Sequence, residues 1–155
     1  MDGNVVSVER VIPAQPEAIF DVIADASRHP EIDGSGTVKG AKDGNPQRLE
    51  LGSTFGMSMR QGISYPMVST VIEFEKDKRL AWQSVPPGFL GKLFGGRIWR
   101  YELEPADGGT LVRESWDVSQ DHQRSFLKMG KMAETTRSNM EKTLERIEEV
   151  TSPPA

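Results

Sequence analysis

The chain has 155 residues, 36% of them hydrophobic, and a net charge of −4, which is enough for one domain with a real core. An acidic balance lacks the excess of Lys and Arg that displaces counterions from a duplex, so nucleic acid is not an expected partner. The absence of cysteine removes disulfides, thiol catalysis and thiolate metal sites. No run approaches the roughly 18 apolar residues of a membrane span, and Met1 to Glu9 carries no basic-then-apolar leader; stable membrane insertion is not expected, and a cytoplasmic location is.

In chain order, Val5 to Ile12 is β-branched enough for a strand that Pro13 stops. Pro16 suits the first turn of a helix, with Glu17 near its positive end and Ile19, Phe20 and Ile23 as its apolar stripe. A second short helical piece is expected at Ser27 to Ile32. From Gly34 to Asp117, short β-rich runs alternate with turn signals. The runs are Thr37 to Ala41, Leu49 to Met59, Ser64 to Glu75, Arg79 to Ser84, Arg97 to Glu104 and Thr110 to Asp117. The turns include Asp43 to Pro46, Gln61-Gly62, Lys76 to Lys78 and Ala106 to Gly109. This spacing predicts a six-strand antiparallel meander, joined by Val5 to Ile12 as a seventh strand.

Asp121 to Val150 has no proline, and Phe126, Met129, Ala133, Met140, Leu144 and Ile147 form a stripe on a helix of roughly 45 Å. The stripe is thin at Gly130, Ala133 and Thr136, and Met57 and Met59 share one side of a facing strand. Both features suit a cavity between sheet and helix, methionine being adaptable to irregular contents. Ordinary helix-on-sheet core is the alternative. The whole reads as one α+β domain over 1–150, with a frayed, disordered tail at 151–155.

The opening Val8-Glu9-Arg10-Val11-Ile12-Pro13-Ala14, then Pro16 to Asp25, resembles the first strand, proline turn and first helix of the START-like superfamily. That superfamily is also called SRPBCC and includes the birch pollen allergen. Lys78-Arg79-Leu80-Ala81-Trp82, Trp99 to Glu104 and Gly109-Thr110-Leu111-Val112 match in kind, most closely to the polyketide cyclase/dehydrase-type branch. Pro30-Glu31 is followed by Ile32 where many members carry tryptophan. The resemblance covers about Val5 to Val150. It implies a helix-grip fold, a curved seven-stranded antiparallel sheet around a long C-terminal helix, with two short helices between the first two strands. It further implies a small hydrophobic ligand, such as a lipid, fatty acid or aromatic polyketide, and in some members catalysis.

Period-two reading puts Trp99, Tyr101 and Leu103 on one face, and Val112, Glu114 and Trp116 on one face of the next strand. The expected ligand-binding lining is therefore Met57, Met59, Trp82, Trp99, Tyr101 and Trp116 from the sheet. Phe126, Met129, Ala133 and Met140 complete it from the helix. Packed core is the alternative for the tryptophans. Glu114 is the one catalytic candidate, since a carboxylate inside an apolar cavity has a raised pKa and can act as acid or base. Its alternatives are an ion pair with an arginine such as Arg10, or solvent exposure. Arg100 and Glu102 take the opposite parity and belong outside, while parity does not place Glu73. His29 and His122 flank no carboxylate cluster, no serine elbow or phosphate loop occurs, and neither metal nor cofactor is called for.

Val85 to Gly96 is long for a hairpin connection and carries Phe89, Leu90, Leu93 and Phe94 between glycines. It reads as a glycine-hinged lid over the cavity mouth, beside Arg60 to Ser64 and Ser119 to Phe126. Packing onto Phe126 and membrane contact are the alternatives. Arg124, Lys128 and Lys131, with Lys92 and Arg97, form a basic rim suited to an anionic head group, or are simply solvated. The leading function is binding or carriage of a small hydrophobic molecule. The alternatives are a cyclase/dehydratase-type enzyme using Glu114, and a regulatory protein with a collapsed pocket. The oligomeric state is not legible.

Overall fold

The structure is a computed structural model that describes residues 3–35, 38–41, 48–61 and 63–152, the side chains of 38–41, 57–61, 63 and 64 lying outside that description. The first strand, β1 (Val5–Ile12), buries Val6, Val8 and Ile12 and exposes Val5 and Val11. That alternation is what a strand with one dry face requires. After Pro13 comes α1 (Pro16–Ile23), with proline in its first turn, Glu17 beside its positive end, and Ile19, Phe20, Val22 and Ile23 buried. Phe20 meets Phe74 edge-on at 5.5 Å. A 3-10 turn at Ala26–Arg28, capped by the Asp25 side chain accepting from Ser27 N at 3.0 Å, leads into α2 (His29–Ile32).

The remaining strands are β2 (Val38–Ala41), β3 (Thr54–Gln61), β4 (Ile63–Glu75), β5 (Arg79–Val85), β6 (Arg97–Ala106) and β7 (Gly109–Asp117). They form one seven-stranded sheet in the order β1-β7-β6-β5-β4-β3-β2, and every pairing is antiparallel. The sheet is thus a meander whose last strand pairs with the first. The register shifts at Val71/Glu73, and such a bulge bends its strand. Leu49 to Ser53, read from sequence as strand, precedes β3. Leu49 is instead buried and donates its N–H to Ala24 O at 2.7 Å, fastening the chain beneath α1. The expected Asp43 to Pro46 turn lies outside the described residues.

On the outer face, charge is matched across strands. Arg100 meets Glu73 and Asp117, Arg79 meets Glu73 and Glu102, and Arg113 meets Glu9. Arg100 and Glu102 lie outside as parity predicts, and Glu73, which parity left unplaced, joins them.

The C-terminal segment corrects the sequence reading. It is not one helix from Asp121 to Val150 but a short α3 (Arg124–Leu127), a break, and α4 (Met132–Thr151). The break falls at Gly130, whose φ of +66° belongs to the left-handed region that a continuing helix excludes. At 20 residues, α4 is about 30 Å long. Its Met140, Thr143, Leu144 and Ile147 are buried against the sheet, and Ala133 packs at the edge of that core. Phe126 and Met129 lie on the far side of the break and are 66% and 67% exposed. Extending one helical phase through Gly130 wrongly added them to the buried stripe. Thr151, assigned to the tail, closes α4 with its hydroxyl on Ile147 O, while 153–155 lie outside the described residues.

Two contacts seat α4. Arg10 of β1 forms a two-pronged pair with Glu148, and Gly34 N donates to Thr143 Oγ1 at 2.9 Å. Gly34 lies so close that a Cβ would sit 2.2 Å from Asn139 O and 2.7 Å from Thr143 N. Gly34→Ala should therefore lower stability by roughly 2–3 kcal/mol, because backbone must move to admit it. Gly130→Ala, in open space but at positive φ, should cost only about 1–2 kcal/mol. Chemical denaturation of both variants measures the difference.

Candidate functional site

Antiparallel register carries the site across the inner face. Trp82, Trp99, Trp116 and Val6 stand opposite one another on β5, β6, β7 and β1, and the next row is Leu80, Tyr101, Glu114 and Val8. Because side chains alternate, both rows point toward α4. Trp116, Tyr101 and Glu114 are buried, whereas Trp82 and Trp99 are half-buried at the margin. The neighbouring Trp99 and Trp116 of the tryptophan row have ring centroids 6.4 Å apart.

A second aromatic chain converges on the same carboxyl. His29 of α2 stacks on Trp82 at 5.0 Å, Phe55 of β3 meets both rings edge-on, and Trp82 leans on Tyr101 at 5.7 Å. The Tyr101 hydroxyl then donates to Glu114 Oε1 at 3.1 Å. His29 is wholly buried with its Nε2 2.8 Å from Ile23 O. Burial lowers its pKa, so it is the neutral ring that donates there.

Glu114 is the group out of place. It is 3% exposed in an apolar and aromatic setting, and its Oε2 has no hydrogen-bond partner among the described residues. Burial pushes its pKa up to about 8; the Tyr101 bond pulls the other way, and nearby Asp33 adds to the rise. The Tyr101 hydroxyl is held well above its ordinary value, by burial first and by Glu114 second. At neutral pH the carboxyl therefore carries a proton. With Tyr101 donating to Oε1, the proton belongs on Oε2, which becomes a buried donor. A buried polar atom without a partner costs about 1–3 kcal/mol, so it is a place where a ligand's acceptor would stabilise the fold. Arg10, considered as an ion partner for Glu114, is engaged by Glu148 instead.

Where α4 lies on the sheet the inner face is packed: Met140, Leu144 and Ile147 are at most 1% exposed. Two open depressions are on the outside of the molecule. One, of about 440 Å³, is lined by Glu31, Lys142, Glu145, Arg146, Glu149 and Val150, and the other, of about 460 Å³, lies around Pro13, Ala18 and Gly108. Neither is lined by the aromatic rows.

Residues 4–151 match a family model described as polyketide cyclase / dehydrase and lipid transport. The chain belongs to this family. It is 31% identical over 147 residues to the uncharacterized protein Rv0088 of Mycobacterium tuberculosis, covering 91% of this chain and 60% of that protein. The chain thus spans well under two thirds of that relative's length. Among solved structures, protein CV1439 from Chromobacterium violaceum superposes with a TM-score of 0.72 at 14% identity, over 97% of this chain and 99% of that one. Ginseng major latex-like protein 151 from Panax ginseng gives 0.69 at 13%, over 97% and 100%. These likenesses establish the helix-grip fold.

Of the expected lining of this family member, the structure brings together Trp82, Trp99, Tyr101, Trp116 and Met140, with Ala133 at the edge. Phe126 and Met129 face solvent instead, for the reason given by Gly130. The side chains of Met57 and Met59 lie outside the described residues. Sequence reading missed His29 and Phe55; an aromatic at a short helix start and one on an edge-side strand carry no local sign of meeting Trp82. In the Val85 to Gly96 connection, Gly88–Lys92 forms a 3-10 turn and Phe89, Leu90, Leu93 and Phe94 are all exposed. Its base is tied to the segment before α3: His122 N donates to Gly95 O at 3.0 Å, and Arg97 pairs with buried Asp121. Gly96 packs so tightly on Gln120 O that a Cβ would sit 2.5 Å away. Among the described residues, no helix is long and apolar enough to cross a membrane.

The raised pKa of Glu114 has a definite sign. An unfolded chain releases this proton near the ordinary value of 4.5, the folded chain only near 8. Stability therefore falls as pH rises between those values, since the folded state alone holds the proton, and the loss is complete above about 8. Glu114→Gln, which cannot ionise, should match the native protein near pH 4. It should exceed it by a few kcal/mol near pH 8, as read by denaturant unfolding across that range.

Proposed function

We propose that the protein binds a small hydrophobic molecule between the sheet and α4, with Glu114 meeting the polar group of that ligand. One observation carries the reading: a carboxyl that is neutral at pH 7, bonded on one oxygen to Tyr101 and unpartnered on the other, within aromatic walls. Membership of a family described by lipid transport supports it. Lipids, fatty acids and aromatic polyketide-like molecules all combine a large apolar body with few polar atoms, which suits one donor among apolar contacts. Because α4 packs on the sheet above Glu114, uptake there requires side chains or α4 to yield. The Val85 to Gly96 connection, with four exposed apolar residues, is the proposed lid.

A second reading is supported by the same carboxyl. A pKa of about 8 suits proton transfer near neutral pH, so Glu114 could serve as the acid-base group of a cyclase or dehydratase-type reaction, with Tyr101 holding it in place.

Native mass spectrometry of the purified protein, followed by solvent extraction, tests the binding reading. A retained apolar molecule supports it. Absence of one, together with no binding of an environment-sensitive naphthalene probe, indicates a collapsed interior and an interaction role. Trp99→Ala or Trp116→Ala should weaken probe binding by on the order of 2–3 kcal/mol if the ring contacts ligand. Core-only tryptophans would lower the unfolding temperature and leave affinity unchanged in the folded fraction. Glu114→Gln should keep binding in either reading and abolish turnover of a polyketide-like substrate only in the enzymatic one.

A further inference from the structure

The end of the molecule that bears the 88–94 segment exposes a run of large apolar side chains. The 88–94 segment contributes Phe89, Leu90, Leu93 and Phe94, at 71%, 52%, 52% and 42% exposure. Phe126 and Met129, freed from the core by the Gly130 break, add 66% and 67%, and Met132 opens α4 at 37%. The two segments are held side by side by the Gly95–His122 and Gly95–Gln123 hydrogen bonds and by the Arg97–Asp121 pair. A cluster of exposed aromatic and aliphatic side chains of this kind marks a contact surface.

Its charge says which. Residues 86–97 and 119–134 contain Lys92, Arg97, Arg124, Lys128 and Lys131 against two acids, Asp121 and Glu134. Asp121 is fully buried and taken up by Arg97, which leaves Lys92, Arg124, Lys128 and Lys131 against Glu134 and a net positive charge at this end. The chain as a whole is at −4, and Glu141, Glu145, Glu148 and Glu149 outnumber Lys142 and Arg146 in the opposite half of α4. The molecule is therefore polarised, with a basic apolar end and an acidic far end. Long basic side chains rising between apolar ones match the boundary of a bilayer, where acyl chains lie beneath anionic headgroups. We propose that this end, Gly88 to Phe94 together with α3 and the first turn of α4, docks on a membrane surface bearing anionic lipid headgroups. The contact is peripheral, and it does not depend on the interior of the grip.

Two other occupants fit less well. A second copy packed face to face would set Lys92, Arg124, Lys128 and Lys131 against their own counterparts, and like charges so placed repel. Single-stranded nucleic acid would find Phe89, Phe94 and Phe126 to stack on, but Leu90, Leu93, Met129 and Met132 in the same patch present flexible aliphatic surface that suits acyl chains better than bases.

Co-sedimentation of the full chain with vesicles tests the proposal, comparing phosphatidylcholine alone with phosphatidylcholine mixed with phosphatidylglycerol. The protein should partition onto the mixed vesicles at least tenfold more strongly, and raised salt should release it. Lys92→Glu with Lys131→Glu should reduce that partitioning at least tenfold, since each basic side chain near such a surface is worth about fivefold. Phe89→Ser with Leu93→Ser should reduce it similarly, and circular dichroism should show both variants folded, because all four positions are exposed. Glu145→Lys with Glu149→Lys, at the far end, should not weaken binding. Equal partitioning onto both vesicle types, or unchanged partitioning of the Lys92→Glu/Lys131→Glu variant, would overturn the proposal. So would failure to bind vesicles accompanied by a dimer in sedimentation that Phe89→Ser dissolves, or by an oligonucleotide gel shift that the lysine substitutions remove. Retention or loss of a naphthalene probe in the interior is scored separately and bears only on the ligand-binding reading.

Discussion

The seating of α4 on the concave face of the sheet is the contact on which the other features depend. A sheet of seven antiparallel strands has one face charged and paired across strands, and the other must be covered or remain an apolar surface in water. Met140, Leu144 and Ile147 cover it, and the near-contact of Gly34 with the α4 backbone fixes how closely the helix approaches. Arg10 and Glu148 clamp the far half of the helix to the sheet edge. With the helix so placed, the third and fourth residues of the inner rows are enclosed, and Glu114 is taken out of water.

That enclosure makes a carboxyl into a hydrogen-bond donor. Desolvation dominates its titration and the single Tyr101 bond does not offset it. A charged Glu114 in the same place would need a cation within reach, and the nearby arginine of β1 is turned to Glu148. The aromatic chain from Phe55 through His29 and Trp82 to Tyr101 holds the hydroxyl in position by ring contacts at 5.0–5.7 Å. Its rigidity comes from α2, which presents His29 to Trp82 while Ile23 O holds the ring. The polar feature and its apolar frame are therefore one packed unit, and a substitution anywhere in the chain should be felt at Glu114.

The break at Gly130 has the opposite effect at the other end. It ends the buried stripe early and leaves Phe126, Met129 and Met132 in solvent, on the segment that is tied to the base of the loop bearing Phe89 and Phe94. One end of the grip is thus sealed by α4, and the other is apolar and basic.

Local pattern settled much of this before any coordinates. Period-two alternation placed Trp99, Tyr101, Glu114 and Trp116 on one face because a strand allows no other arrangement. Proline and glycine punctuation marked α1 and the strand succession, and the length and apolar content of Val85 to Gly96 singled that segment out. Three things depended on tertiary structure. Whether the helix ran through Gly130 depended on a backbone angle that glycine permits but does not impose. Whether Glu114 met Arg10 or Tyr101 depended on which partner Glu148 claimed across 138 residues of chain. The meeting of His29, Phe55 and Trp82 depended on α2 being brought against β3 and β5, a contact between segments far apart in sequence. Local propensity and alternation are carried by neighbouring residues and can be read in a line; partner choice is a competition among distant groups, and only the folded chain decides it.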